Sequence, residues 1–490
     1  EVELVITEPA DSYRQRSATG KIVQIIQRNT TQVVGIYTRF SSETAEDTGY
    51  CGEVVVKDKK LAGTRCLIRP NGLHPVDGTV VIVELTKYTN EKNRSSLEGI
   101  VVKEIGYKDA VGMDILMILQ QLHIPTEFPQ EVIDQANLVP EVITDEDRKG
   151  RKDLREQLTV TIDGADAKDL DDAVALTKRE DGTFELTVSI ADVSYYVTEN
   201  SAIDREAFER GTSVYLTDRV VPMLPQRLSN GICSLHPHEE RLTMSCRMEI
   251  DRSGTIYQYE IFPSVIRSDM RLTYSLVNEL YEKKEVEIPE EIQQMLLDMR
   301  ELHHILERRR KERGAIDFET HEAKIIVDEQ GAPIDIQIRE RGVAERLIES
   351  FMLAANETVA MHYQRRNVPF IYRVHEQPQQ EKMQRFLEFV TAFGINIKGT
   401  SDTISPKKLQ KALDEVKGET YEAVVSTMML RSMKQAKYDI TPSGHYGLAA
   451  EDYTHFTSPI RRYPDLIVHR MIRQYEGSGS FLSKQQEELT

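Results

Sequence analysis

The sequence predicts a multidomain α+β protein in which a small N-terminal β-barrel precedes a larger domain of mixed strands and helices. Three observations lead to this fold class. The chain has 490 residues, which at about 150 residues per domain suffices for roughly three domains. Short strand-like runs fill the first hundred residues, whereas strand-like and helical runs are mixed beyond residue 151. Hydrophobic residues make up 40% and charged residues 29% of the chain, which is typical of a globular protein.

Residues 16–105 have the pattern of a barrel. The strand-like runs are rich in β-branched residues, and turn sequences such as DTG at 47–49 and DG at 77–78 separate them. These runs are GKIVQIIQR, TQVVGIYTRF, GEVVVK, TRCLIRP and GTVVIVELTKY. About five short strands in this length predict a small closed barrel of the oligonucleotide-binding type. Residues 1–15 are interpreted as the remnant of a preceding domain, because 1–10 resembles a last strand.

Residues 106–150 are predicted to form a helical connector followed by an exposed link, because VGMDILMILQQL and FPQEVIDQANLV have helical apolar spacing. Residues 151–490 are expected to form one mixed domain. Its strand-like runs lie at 157–162, 173–177 and 184–191. Its helical runs lie at 291–312, 343–366, 380–394, 406–435 and 464–475.

The formal net charge is −18, which argues mildly against a nucleic-acid-binding protein. The charge is uneven, however, because residues 11–110 carry 15 basic and 12 acidic side chains. A basic groove within an acidic protein therefore stays possible.

Other classes are excluded more firmly. The apolar runs fall far short of the ~20 residues that a membrane helix needs, so no membrane association is expected. The four cysteines lack CxxC spacing, so neither a zinc site nor a disulfide framework is predicted. Free cysteines fit a reducing cytoplasm. The absence of GxxxxGK[ST] from the sequence excludes a P-loop helicase.

The sharpest local feature is the segment TIDGADAKDLDDAV. It holds five aspartates within ten residues: Asp163, Asp166, Asp169, Asp171 and Asp172. Carboxylates this close repel one another, and a bound divalent cation relieves the repulsion. Oxygen ligands suit Mg²⁺, Mn²⁺ or Ca²⁺, and the spacing does not fit a calcium-binding EF-hand. The segment therefore predicts a site for a divalent cation, but a solvated acidic loop explains the same residues as well.

A second constellation is HFTSPIRRYPDLIVHR. Arg461 and Arg462 stay charged at all relevant pH values, and a guanidinium fork matches phosphate oxygens. Thr457 and Ser458 add hydroxyl donors nearby. The pattern predicts a phosphate site, although a surface arginine pair in a turn is the simpler interpretation.

Single-stranded nucleic acid also needs flat side chains for stacking. The sequence has no Trp, so Tyr and Phe must serve. Tyr215 in TSVYLTDRVVPMLP and Phe318 in GAIDFE are the candidates. For either residue taken alone, packing in the core is the more common role.

Together, six motifs in order identify a family. They are TIDGADAKDLDDAV, TSVYLTDRVVPMLP, GAIDFE, LIESFMLAANETVA, IYRVHEQP and HFTSPIRRYPDLIVHR. They resemble the ribonuclease II/ribonuclease R family, with the closer likeness to bacterial ribonuclease R, over roughly residues 16–475. The resemblance implies cold-shock-type barrels, then an RNB catalytic domain, then a C-terminal RNA-binding barrel. On this basis residues 1–15 are expected to be the trace of a first cold-shock barrel, and the C-terminal barrel is expected to be absent.

The resemblance implies a processive 3′→5′ exoribonuclease that hydrolyses RNA, structured RNA included, to nucleoside 5′-monophosphates. It implies Mg²⁺ as cofactor, as one or two ions with Mn²⁺ as a substitute. The catalytic and metal-binding carboxylates implied are Asp163, Asp169, Asp171 and Asp172. Arg461 resembles the arginine at the scissile phosphate, and Arg462 beside it is a further RNA contact.

The resemblance also assigns roles at the 3′ end of the RNA. Tyr215 resembles the residue that stacks on the last base, and Phe318 the aromatic that closes the other end of the stack. Glu349 resembles the residue at the terminal ribose, where a 2′-hydroxyl contact favours RNA over DNA. The expected partner is single-stranded or 3′-overhang RNA, and the expected protein is a cytoplasmic monomer. Two alternatives stay open: an exonuclease nearer ribonuclease II that stalls at duplexes, and a silent RNA-binding clamp.

Overall fold

The computed structural model describes residues 1–9, 18–57, 61, 64–89, 96–317, 322–328, 331–339, 341–397, 399 and 404–478. They fall into two compact units. The first consists of Glu1–Glu127, Leu216–Arg219 and Ile325–Ile336, and the second of Phe128–Tyr215, Val220–Lys324 and Gln337–Thr490. In the part of the chain covered by these ranges, no helix is both long and apolar enough to cross a membrane.

The first unit begins with an antiparallel hairpin of β1 (Val2–Glu8) and β2 (Thr19–Ile25). Every residue of both strands is exposed. The hairpin is followed by a five-stranded closed barrel with strand order β3-β4-β5-β7-β6. The elements are β3 (Gln32–Arg39), α1 (Ser42–Thr48), β4 (Gly52–Val56), β5 (Arg65–Ile68), β6 (Thr79–Lys87), β7 (Ser96–Tyr107) and α2 (Met113–Gln121).

The barrel agrees with the prediction in kind, but one predicted strand is wrong. The run GKIVQIIQR pairs with β1 in the hairpin and not with the barrel, and the fifth barrel strand is β7. The sequence hides β7 because Glu98 interrupts its apolar pattern. Glu98 is buried inside the strand, where Arg69 and Lys87 form ion pairs with its carboxylate. A charged residue that is buried and ion-paired breaks the apolar pattern by which a strand is recognised in a sequence.

The second unit is built on a seven-stranded sheet. Its first half contains α3 (Gln130–Leu138), α4 (Asp145–Arg148), β8 (Lys152–Asp153), β9 (Val160–Asp163), β10 (Asp172–Lys178), β11 (Phe184–Ala191), α5 (Val193–Tyr196), α6 (Ala202–Arg210), β12 (Val214–Tyr215) and β13 (Val220–Val221). Then follow a helical turn (Arg227–Ile232), β14 (Glu240–Ile250), β15 (Ile256–Arg267), β16 (Met270–Thr273), α7 (Tyr274–Tyr281) and α8 (Glu290–Arg313). The sheet order is β16-β9-β10-β11-β14-β15-β8, and within this sheet the described strands pair parallel only at β16–β9 and β15–β8.

The remaining elements follow α8. They are β17 (Glu322–Val327), β18 (Pro333–Arg339), α9 (Val343–Arg365), β19 (Tyr372–Val374), α10 (Gln380–Thr391), α11 (Pro406–Val416), α12 (Glu422–Ser432), β20 (Lys437–Asp439) and α13 (Tyr463–Ser478). The predicted helix at 406–435 is two helices. Gly418, with a φ of 83°, follows the first helix in a left-handed conformation that glycine adopts readily.

Each face of the sheet carries its own core. On one face, α7, α8 and α9 pack against apolar residues of β9, β10, β11 and β14. On the other, α3, α5, α6 and the segment after β13 pack against the opposite side chains of the strands. A third core joins α10, α11 and α12. All four cysteines are free thiols.

Candidate active site

The aspartate segment connects two neighbouring strands of the sheet. Asp163 is the last residue of β9 and Asp172 is the first residue of β10, and these strands pair antiparallel. On its other side, Asp163 lies opposite Thr273 of β16 in the parallel pair. The carboxylates therefore converge at one edge of the sheet because the chain must turn there.

Two side chains from distant parts of the sequence fix this connection. The Arg271 guanidinium donates to the carbonyls of Ala165 and Ala167 at 2.9 and 2.7 Å. The Ser234 hydroxyl donates to the Lys168 carbonyl at 2.7 Å and accepts from the Leu170 N–H at 3.0 Å. Sequence reasoning missed Arg271 and Ser234, because nothing near either residue indicates a partner more than sixty residues away.

The four predicted carboxylates have different environments. Asp171 is 4% exposed, and its Oδ1 accepts a hydrogen bond from the Ile460 N–H at 2.9 Å. Asp169 is half-buried, and its Oδ2 accepts from the Tyr215 hydroxyl at 2.6 Å. Among the described residues, Asp163 Oδ2 and Asp171 Oδ2 are buried oxygens without a hydrogen-bond donor.

Burial and mutual repulsion raise the pKa values of three of these groups. Burial raises the pKa of Asp163 to about 7, with a further contribution from Asp171. The pKa of Asp171 rises to about 8, mainly through burial and against the opposing charge of Arg461. The pKa of Asp172 also rises to about 8, through burial and the charge of Asp163. The fold thus holds acids where their charged forms are poorly stabilised.

This arrangement fits a divalent cation. Two buried carboxylate oxygens lack donors, and the surrounding ligand atoms are oxygens of the type that hard cations such as Mg²⁺ or Mn²⁺ take. A cation would supply the positive charge that the carboxylates lack, and metal binding at such a site releases protons. The residues that would hold it are Asp163, Asp169, Asp171 and Asp172.

A measurement of stability in the metal-free chain tests these raised pKa values. The folded-state pKa of Asp163 lies above its ordinary 3.8, so the folded chain keeps a proton there that the unfolded chain has released. The resulting stabilisation is complete below pH 3.8 and is lost as the pH rises through about 7. Asp163→Asn should therefore gain stability relative to the parent chain over this pH range, measured by urea unfolding with a chelator present.

The control variant for this experiment is Asp166→Asn, which changes an exposed aspartate of the same segment. Its stability relative to the parent chain should not vary with pH in this way. Adding Mg²⁺ should reverse the order of stability of the parent chain and Asp163→Asn. An Asp163→Asn chain that stays less stable than its parent at pH 8 without metal would contradict the raised pKa.

The arginine motif forms the opposite wall. Ile460 is hydrogen-bonded to Asp171, so the segment 456–462 lies directly against the carboxylates. The Arg461 Nε lies 3.5 Å from Asp171 Oδ2, and its Nη2 donates to the Ser458 hydroxyl at 2.9 Å. Arg461 is largely exposed, whereas Arg462 is half-buried and donates to the buried Asp465 at 2.7 Å.

Helix α9 supplies a third wall. Glu349 and Asn356, seven residues apart on the same helical face, both line the cavity. Arg341, just before the helix, forms an ion pair with Glu349. Phe318 lies outside the described residues, so its predicted place at the end of a base stack stays a prediction.

The cavity enclosed by these walls has a volume of about 670 Å³. It brings together all the predicted site residues that the structure describes: Asp163, Asp169, Asp171, Asp172, Tyr215, Glu349, Arg461 and Arg462. Residues that the sequence analysis did not assign to the site also line it, among them Tyr274, Arg341, Asn356 and Tyr453. The helical spacing from Glu349 was a usable signal for Asn356, whereas Tyr274 and Tyr453 had none.

Comparisons with known proteins agree with this geometry. Residues 151–477 match the RNB domain and residues 54–129 match the cold shock domain. Ribonuclease R 1 of Lactococcus lactis is 52% identical over 476 residues, which are 97% of this chain and 58% of that protein. Ribonuclease R 2 of the same organism is 43% identical over 486 residues, which are 98% of this chain and 72% of that protein. The chain thus spans less than two thirds of the length of the first relative.

Solved structures of Mycoplasma genitalium RNase R are also similar. The apo form has a TM-score of 0.91 and 29% identity, covering 100% of this chain and 75% of that one. The same protein has been solved with ribose-methylated single-stranded RNA at the same TM-score, identity and coverage. It has also been solved with double-stranded RNA, at a TM-score of 0.88 and 30% identity, covering 96% of this chain and 82% of that one.

The RNB match covers most of the chain, and the second Lactococcus lactis relative is similar over 72% of its own length. The predicted fold class, a cold-shock-type barrel followed by a mixed α/β catalytic domain, is confirmed by these matches. The chain belongs to the ribonuclease II/ribonuclease R family, whose members share the RNB domain.

Proposed function

We propose that this chain is a processive 3′→5′ exoribonuclease that hydrolyses RNA, structured RNA included, to nucleoside 5′-monophosphates with a divalent cation. One observation carries the proposal: four aspartates, three arginines and three tyrosines line a single cavity of about 670 Å³. A cluster of carboxylates binds cations, an arginine binds phosphate, and an aromatic ring stacks on a base. A single-stranded nucleic acid is a substrate that uses all three together.

Tyr215 is placed to receive the last base. Its side chain is 50% exposed, so one face of the ring is available for stacking. Its hydroxyl donates to Asp169, and burial together with this hydrogen bond raises its pKa, so the hydroxyl keeps its proton. This hydrogen bond links the stacking residue to one of the carboxylates.

Glu349 is placed to select ribose. Its carboxylate lies in the cavity and accepts hydrogen bonds, and the 2′-hydroxyl of RNA is a donor that DNA lacks. The ion pair with Arg341 limits the rotation of this carboxylate. Glu349 therefore contributes to the preference for RNA, as the family resemblance implies.

Asp163, Asp169, Asp171 and Asp172 are the residues that would hold Mg²⁺, as one or two ions, with Mn²⁺ as a substitute. When bound, such a cation supplies activation of water and neutralises charge on the phosphate. Arg461 compensates the negative charge that develops on the scissile phosphate, and Arg462, braced by Asp465, extends the positive surface. Asp171, which lies beside the Arg461 guanidinium, is itself shielded from bulk water.

The solved complexes of Mycoplasma genitalium RNase R support RNA, both single-stranded and double-stranded, as the partner. They favour activity on structured RNA over an exonuclease that stalls at duplexes. The intact carboxylate set favours an enzyme over a silent clamp, because a clamp gains nothing from acids that raise the cost of folding. The proposal includes a cytoplasmic location, which free cysteines fit. The monomeric state stays a prediction.

The first experiment is an incubation of this chain with 5′-labelled single-stranded RNA, with Mg²⁺ or with a chelator. We expect shortening only with Mg²⁺, to one small labelled product and without intermediate ladders. A ladder of intermediates would refute processive degradation. Intact RNA both with Mg²⁺ and with chelator would refute the proposed enzymatic activity. A duplex with a 3′ overhang, run in parallel, separates degradation of structured RNA from stalling.

Tyr215→Ala should lengthen the final labelled product while changing the rate of phosphodiester hydrolysis by less than about tenfold. Loss of the ring removes a stacking contact of about 1–3 kcal/mol, so short RNA leaves the site earlier. Gel analysis of end products gives the length, and single-turnover kinetics gives the rate. Tyr215→Phe, which keeps the ring but not the hydrogen bond to Asp169, should retain the parental product; an unchanged product in Tyr215→Ala would refute stacking.

A further inference from the structure

Asn356 is a buried polar residue of the cavity to which neither the sequence analysis nor the mechanism above gives a role. It lies on α9, two turns beyond Glu349, and is 3% exposed. Its Oδ1 accepts a hydrogen bond from the Phe456 N–H at 2.8 Å, and its Nδ2 donates to the Tyr453 hydroxyl at 3.4 Å. The amide therefore bridges α9 to the segment that carries the two arginines.

That segment, residues 456–462, is held through its backbone. Phe456 is fixed on both sides, because its N–H donates to Asn356 and its carbonyl lies 2.7 Å from His469 Nε2. Further along, the Ser458 N–H donates to Asp465 at 2.8 Å and the Ile460 N–H donates to Asp171 at 2.9 Å. Asn356 is thus the first of the side chains that determine the course of this backbone.

The Arg461 side chain itself is weakly constrained. It is largely exposed, with one hydrogen bond to Ser458 and an Nε 3.5 Å from Asp171 among the contacts that the described residues show. Its guanidinium position therefore depends on where the backbone of 456–461 runs. A displacement of about 1 Å at a reacting group costs about a hundredfold in rate.

We infer that Asn356 is a positioning residue, which acts through the backbone of Phe456 to set the distance between Arg461 and the Asp171 carboxylate. The inference rests on the proposed function, since it assigns a role in the same reaction. An amide suits the role because it is at once an acceptor for Phe456, a donor for Tyr453 and uncharged. An aspartate would add another negative charge to a cavity that already holds poorly stabilised carboxylates.

The experiment is a double-mutant cycle between Asn356→Leu and Arg461→Ala, with rates from single-turnover RNA hydrolysis. Leucine keeps the branching of the Asn356 side chain at Cγ and removes both hydrogen bonds. In the parent background we expect the rate to fall about 10- to 100-fold, with the Kd for RNA changed less than threefold. In the Arg461→Ala background, Asn356→Leu should lower the rate further by less than threefold, because the guanidinium that Asn356 positions is already absent.

Gln364→Leu is the matched control, since it replaces an exposed amide on the same helix and should leave the rate unchanged. The inference is overturned if Asn356→Leu lowers the rate of RNA hydrolysis by the same factor in both backgrounds. It is also overturned if the Asn356→Leu chain hydrolyses RNA at the parental rate. Amide hydrogen exchange at Phe456 gives a second readout that needs no catalysis. Exchange should accelerate in Asn356→Leu and stay slow in Asn356→Asp, which keeps the acceptor; unchanged exchange in Asn356→Leu also overturns the inference.

If Asn356→Leu does not fold, as judged by circular dichroism, Asn356→Ala replaces it in the cycle. Alanine also removes both hydrogen bonds, and it adds no charge. Its rate loss should again be smaller in the Arg461→Ala background, and an equal loss in both backgrounds overturns the inference. A parent chain that leaves RNA intact shows that the proposed function has failed, and this outcome is visible before any variant is compared.

Discussion

Asp171→Asn is expected to abolish RNA hydrolysis, with a rate at least about a thousandfold below the parent, while RNA binding stays within threefold. Asp171 is the most buried of the four carboxylates, and its Oδ2 lacks a donor among the described residues. Asparagine keeps the acceptor for the Ile460 N–H but offers the cation neither the charge nor the second oxygen. The loop that carries Arg461 therefore stays in place while the chemistry is lost.

Single-turnover hydrolysis and RNA binding by fluorescence anisotropy test this prediction together. Asp166→Asn is the matched control, because Asp166 belongs to the same segment but is exposed and does not line the cavity. It should hydrolyse RNA at the parental rate. An Asp171→Asn chain with near-parental activity would sink the assignment of the active site. An Asp171→Asn chain that no longer binds RNA would instead show that this carboxylate organises the binding surface.

Arg461→Ala should lower the rate of hydrolysis by about a hundredfold, because it removes the guanidinium that is proposed to face the scissile phosphate. Arg461→Lys should recover only part of this loss, since an ammonium carries the charge but not the two-pronged fork of a guanidinium. Both rates come from single-turnover assays at saturating RNA. Arg385→Ala is the control, because Arg385 is exposed on α10 and pairs only with the neighbouring Glu381 among the contacts that the described residues show.

The order of these two variants discriminates between roles. If Arg461→Lys and Arg461→Ala lower the rate by the same factor, the reaction needs the geometry of the guanidinium and a positive charge alone does not suffice. If lysine restores the full rate, Arg461 acts as a point charge and the fork is irrelevant. A parental rate in Arg461→Ala would remove Arg461 from the reaction and leave Arg462 as the phosphate contact.

The carboxylate cluster was predictable from sequence because its members are close neighbours along the chain. Asp163 and Asp172 end and begin adjacent strands, so a local pattern already brings them together. The barrel was predictable in kind from its β-branched runs. Strand β7 was missed because buried Glu98 interrupts its apolar pattern. The run that contains β2 resembles a barrel strand because it is as rich in β-branched residues, although every residue of β2 is exposed.

Composition and spacing did not predict that the aspartate segment, the arginine motif and α9 lie around one cavity. Nothing in the aspartate segment indicates that Asp171 accepts from Ile460, or that Arg271 fixes the connection between β9 and β10. These contacts depend on the order of strands in the sheet, which sequence periodicity does not determine. Their motifs already made Arg461 and Tyr215 candidates, and the family resemblance alone supplied Glu349. The supporting residues Asn356, Arg271 and Ser234 needed the structure.

The hydrogen bond between Asp171 and Ile460 joins residues 289 positions apart in the sequence. A ribosome adds about 5–20 residues per second, so about 15–60 s pass between the synthesis of the two partners. During that time the nascent chain has its carboxylates but not the arginine that faces them. The proposed active site is therefore incomplete until the wall that carries Ile460 and Arg461 has been synthesised and has folded against the carboxylates.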